Sequence, residues 1–138
     1  MRWLLLCLAL LGSIGCRGPK GAPDSSVKSF YSAAGAEDWG AMADTVSASS
    51  VARLGGRAQV EAFLARQFSG WSHVDVSIDD WSVDADGKKA TVRFSCLAQI
   101  LQNYKPVKVD CGDTHSLVRE DDGKWHLVLP GAQRLRPL

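Results

Sequence analysis

The sequence predicts an α+β domain in which three N-terminal helices pack on a curved, four-stranded antiparallel meander. Apolar residues recur at helical spacing up to Phe68 and alternate with period two from His73 onward. The two kinds of element are segregated rather than interleaved, which favours antiparallel strands with helices on one face. The stretch Lys88 to Arg119 reads as one long hairpin turning at Asn103 and Tyr104. A single register then sets Ile100 opposite Val107, Ala98 opposite Val109 and Cys96 opposite Cys111. Opposed residues have Cα atoms roughly 4.5–5.5 Å apart, within disulfide range. Cys96 and Cys111 are therefore expected to form a cross-strand disulfide.

Residues 1–15 do not count toward that domain. Arg2 precedes a short apolar run, Trp3 to Leu11, followed by the small residues Gly12, Ser13 and Gly15. Such a run is too short to span a bilayer and suits a cleaved export signal. Residues 16–25 form a tether, opening with the polar RGPKGA. The domain is expected over residues 26–130. Val27, Phe30, Tyr31 and Ala34 make one apolar helical face, and Trp39, Met42, Ala43 and Val46 a second. Ser47 to Gly56 reads as a loop containing one short apolar segment, Val51 to Leu54. A third helix, Arg57 to Phe68, presents Val60, Phe63, Leu64 and Gln67. In the first strand Val74, Val76 and Ile78 lie on even positions, but Trp81 and Val83 on odd ones. One extra residue near Asp79–Asp80 repairs the phase, which predicts a β-bulge there. Asp121–Asp122–Gly123 turns the chain into a last strand, Lys124 to Leu129. Residues 131–138 are expected to be a tail.

The ending Ser13-Ile14-Gly15-Cys16 resembles the bacterial lipoprotein signal, in which a small residue precedes a lipid-modified cysteine. The resemblance implies that Cys16 becomes the first residue and carries acyl chains, each buried CH₂ adding about 0.8 kcal/mol of anchoring. Residue 17 is Arg rather than Asp, which by the enteric sorting pattern points to the outer membrane. Cys7 leaves with the signal, so Cys96 and Cys111 remain for the exported domain, where a disulfide is the default. The chain carries 16 Lys and Arg against 15 Asp and Glu. Loss of Arg2 with the signal brings the mature net charge to zero. No basic cluster could neutralise several phosphates, so nucleic acid is not an expected partner. Lipid, rather than a charged face, is expected to hold the protein to the membrane.

Three motifs carry a second resemblance. FYSAAGAEDWGAMADTV is similar to the opening helices of nuclear-transport-factor-2-like (SnoaL-like) domains, LGGRAQVEAFLARQF to their third helix, and REDDGKWHLVL to their closing hairpin. The resemblance implies a cone whose open end leads to an apolar pocket, which isomerase, dehydratase and cyclase relatives use with a tyrosine or histidine and buried carboxylates. Tyr31 stands where the isomerase-type first helix carries its tyrosine. His115 is the candidate for the middle-strand histidine. The isomerase base would fall at Val51, Ala52 or Arg53, and none of these is Asp or Glu; a proton shuttle needs a base. Trp71, at a helix end, is expected to line a pocket mouth or an interface. His115, His126, Cys96 and Cys111 suit zinc less well than a bridge between the cysteines, so neither metal nor cofactor is expected. The reading is a lipid-anchored, non-enzymatic envelope protein that binds a small apolar ligand or an envelope protein. The uncovered sheet face offers a surface for a homodimer. The alternative is a lyase or isomerase using Tyr31 and His115.

Overall fold

The switch from helical to strand spacing falls after Phe68, as the pattern predicts. The computed structural model describes residues 22–129 and 135–138. Its helices are α1 (Pro23–Gly35), α2 (Trp39–Asp44), α3 (Ala48–Leu54) and α4 (Arg57–Phe68). Its strands are β1 (Ser72–Val83), β2 (Lys89–Gln102), β3 (Lys105–Asp110), β4 (Asp113–Arg119), β5 (Trp125–Leu127) and β6 (Arg136–Pro137). The α+β class and the helix-on-antiparallel-sheet arrangement stand. The described residues hold four helices and six strands, not three and four. The signal segment, Cys16 and residues 130–134 lie outside the described residues.

The extra helix is α3. Ser47 accepts from the Ser50 N–H as its N-cap, and Gly55 closes it at φ 100°, a left-handed conformation suited to glycine. The serines that read as loop are thus capping chemistry. At the other end of the helical region, α1 begins at Pro23, inside the span expected as tether. Proline lacks an N–H that the first helical turn would leave unpaired anyway, and its fixed φ suits that position. Val27, Phe30, Tyr31 and Ala34 of α1 are all buried against the sheet. Each large side chain so buried contributes about 1.5–3 kcal/mol.

β2 is the spine of the sheet. β1 pairs along one edge, and β4 and β3 share the other. The expected register holds from Lys89 opposite Val118 to Gln102 opposite Lys105, closed by the two-residue turn at Asn103 and Tyr104. The arm divides into two strands because the Gly112 N–H turns aside to the Asp110 carboxylate at 2.8 Å. A Cβ at Gly112 would stand 2.9 Å from the Phe94 carbonyl oxygen, so only glycine allows this approach to β2. The bulge is present: Ile78 pairs with Phe94, but Asp80 pairs with Arg93. A second irregularity, between Ser72 and Asp75, includes His73 at φ 50°.

The last strand, β5, is shorter than expected, and Arg136–Pro137 of the tail form a short strand. β6 adds to the outer edge of β3, where Arg136 bonds the Gly112 carbonyl at 2.6 Å and pairs with Asp110. β5 is held from both sides, by β4 and by a parallel bridge from Val46 to Leu127. Cys96 and Cys111 are joined as a disulfide with Cα atoms 4.8 Å apart.

Candidate functional site

Ala90, Val92, Phe94, Cys96 and Ala98 of β2 line the buried inner face of the sheet. Period-two alternation places His115 on the same face, because it pairs directly with Val92. α1 lays Tyr31 across this surface. The Tyr31 Oη and the His115 Nε2 lie 2.8 Å apart, both buried. When the imidazole proton sits on Nδ1 the phenol donates to Nε2; in the other tautomer Nε2–H donates to the phenol. The sequence therefore located both members of this pair, 84 residues apart in the chain.

Aromatic rings surround the pair. His115 stacks on Phe94 with ring centroids 5.1 Å apart, and Tyr31 lies 5.0 Å from Phe94. Phe30 meets both Tyr31 and Phe68 edge-on, and Phe68 meets Trp71 at 4.7 Å. Trp71 is thus a buried member of the core, not a residue at a mouth or interface. The helix end that suggested exposure turns its indole inward against Phe68. His115 is likewise fully inside.

The electrostatics follow from this packing. Burial lowers the His115 pKa to about 4, with Asp113 pulling weakly the other way. The imidazole is neutral at neutral pH, and its Nδ1 has no hydrogen-bond partner among the described residues. Among the described residues the buried polar side chains are Ser47, Ser50 and His115, so no carboxylate is buried with the pair, and Asp113, which acts on His115 through its charge, is exposed. Val51, Ala52 and Arg53, where a base was sought, lie on α3, and Arg53 donates to the Leu129 carbonyl at 2.8 Å. A phenol and a neutral imidazole can pass one proton between them, and among the described residues no buried anionic base stands beside them. His126 stands elsewhere, its Nε2 2.8 Å from Asp122. No group of three or more metal-ligating side chains occurs among the described residues.

Sequence reasoning missed the buried hydroxyl pair. Ser47 Oγ donates to Ser50 Oγ at 2.9 Å, and Ser50 Oγ accepts from the Leu129 N–H at 3.0 Å. The i, i+3 serine spacing before Val51 is the capping signal that could have revealed it.

A search of curated proteins finds no match to this chain. Among solved structures, a ketosteroid isomerase-like protein from Erwinia carotovora atroseptica aligns at 13% identity and TM-score 0.62, over 76% of this chain and 87% of that one. SalBIII, an epoxide hydrolase/cyclase-like enzyme of pyran ring formation in salinomycin, aligns at 14% identity and TM-score 0.52, over 84% and 95%. A computationally designed 17-OHP binder aligns at 8% identity and TM-score 0.55, over 83% and 99%. These similarities establish the fold, and the same fold serves both enzyme-like and binding proteins. The SnoaL-like domain model matches residues 27–128, from the first buried valine of α1 to the end of the closing hairpin, and the chain belongs to that family.

Proposed function

We propose that this protein is a lipid-anchored component of the bacterial cell envelope, exported and held at the outer membrane through Cys16, whose SnoaL-like domain binds rather than catalyses. One observation carries the non-enzymatic part. The Tyr31–His115 pair is enclosed by the protein's own aromatic rings, with no buried carboxylate among the described residues to serve as base. Filled by Phe30, Phe68, Trp71 and Phe94, the inner face favours an envelope protein bound at the surface over a small apolar ligand inside. The outer sheet face remains a candidate for a second copy of the chain.

The second reading, a lyase or isomerase acting through Tyr31 and His115, draws support from their 2.8 Å contact. Native mass spectrometry of the mature protein purified from membranes separates the two. The expected spectrum shows protein and its lipid modification alone. A stoichiometric apolar molecule that is lost in both Tyr31→Phe and His115→Gln would overturn the surface reading and favour the pocket.

The anchor has its own test. Growth with a fatty-acid analogue should label the wild type and leave Cys16→Ser unlabelled. Membrane-bound wild type that takes up no label would contradict lipidation.

A further inference from the structure

Paired residues on adjacent antiparallel strands share a sheet face. Trp81 pairs with Val92 and Val83 with Ala90, and both partners are buried on the inner face. Trp81 and Val83 therefore face inward as well, yet they remain 45% and 39% exposed. Val74, Val76 and Ile78 of the same strand pack against the core, and Trp81 and Val83 are not among the residues that do. α1 reaches β1 at its other end, where Gly35 lies against Val74.

The corner lies at the end of the domain where the tether attaches. Near the start of α1, Ser26 donates to the Trp125 carbonyl of β5 at 2.8 Å. Across the sheet, Leu127, Leu117, Ala90 and Val83 form one row over four strands. Three strand spacings span about 14 Å. Five residues lie between Cys16 and Ala22, and the six steps of chain reach at most about 20 Å. An acylated Cys16 thus keeps the bilayer surface within reach of Trp81. The following turn carries Asp84 and Asp86 as well as Lys88 and Lys89, so charge gives no net attraction to an anionic surface. An indole and a valine side chain suit the headgroup layer instead, because tryptophan places its apolar body inward and its N–H in the polar zone.

We infer that Trp81 and Val83 seat the domain on the lipid bilayer that holds the Cys16 acyl chains, fixing its orientation rather than its affinity. This rests on the lipid-anchored reading. The opposite end of β2, with Leu101 and, in the turn beyond it, the fully exposed Tyr104, would then point away from the membrane.

The test uses the mature, lipid-modified protein reconstituted in phosphatidylcholine vesicles. Trp81→Cys, Val83→Cys and Tyr104→Cys are each spin-labelled; with Cys16 acylated and Cys96 bonded to Cys111, the introduced thiol is the one that reacts. Power saturation compares accessibility to oxygen with accessibility to a water-soluble nickel complex. Labels at positions 81 and 83 should show an oxygen-to-nickel ratio several-fold above that at position 104. Equal ratios, or a higher ratio at position 104, would overturn the seating. Val83→Cys guards against a local effect of removing the indole. Protein that lacks acyl mass and stays off the vesicles would defeat the anchor itself, and the seating with it; mass spectrometry distinguishes that failure from the first.

Discussion

Reducing the Cys96–Cys111 bridge is expected to cost about 3 kcal/mol of stability, and the melting temperature should fall by on the order of 10 °C. The bridge spans 15 residues of chain, and the loss follows from the entropy that the unfolded chain regains once the loop opens. A domain of this size has about 5–15 kcal/mol in total, so the loss is a large share. Both cysteines are buried on the inner face, so a reductant reaches them only when the hairpin opens. Reduction should therefore be slow in buffer and fast in mild denaturant. Equilibrium unfolding with and without reductant measures the cost, and thiol counting on the denatured, unreduced mature protein checks the bond. Two reactive thiols, or unchanged stability after complete reduction, would refute this account.

Acidification should remove a comparable amount through a different group. His115 has a folded pKa of about 4, against an ordinary value of 6.5, because burial opposes its charged form. Between these values the unfolded chain binds a proton that the folded protein refuses. Stability is thus complete above pH 6.5 and declines as the pH falls toward 4, by about 3 kcal/mol at most. Asp110 and Asp122 are held below the usual carboxylate range, Asp110 by the Gly112 N–H and Arg136, Asp122 by the Lys124 N–H and His126. What they contribute is present above the ordinary carboxylate pKa and is lost only below it, outside the His115 window. Urea unfolding at pH 7 and pH 4.5 should show the loss in wild type and a flatter profile in His115→Gln, which retains a polar group opposite Tyr31. A wild-type profile as flat as that of the variant would show that His115 titrates normally.

The hairpin was legible because several independent signals agree on one register. Alternation, the Asn103–Tyr104 turn and the cysteine spacing all fit the pairing observed from Lys89 to Gln102. The bulge was legible as a change of phase at Asp79. Elements that depend on a few side-chain bonds were not. α3 hides behind a serine run whose capping role appears only in three dimensions. β6 is two residues long, contains a proline, and rests on Arg136 finding Asp110 and the Gly112 carbonyl.

The candidate site was legible in identity but not in setting. The family resemblance singled out Tyr31 and His115 separately, and the fold brings them together, yet no local pattern states that Phe30, Phe68, Phe94 and Trp71 close around them. Periodicity gives the face of a residue and not what covers it. Trp71 and Trp81 show both sides of that rule, the first enclosed by Phe68 and its neighbours, the second facing inward yet exposed and outside the packed core.

The claim that binds these observations together is that the Tyr31–His115 pair is a sealed, neutral part of the core. Long-range proton–nitrogen NMR of the His115 imidazole, followed from pH 8 down, tests it most directly. The predicted result is a neutral ring through pH 5, with protonation setting in only near pH 4. A midpoint near the ordinary 6.5 would mean that water reaches the ring, and would contradict the sealed core.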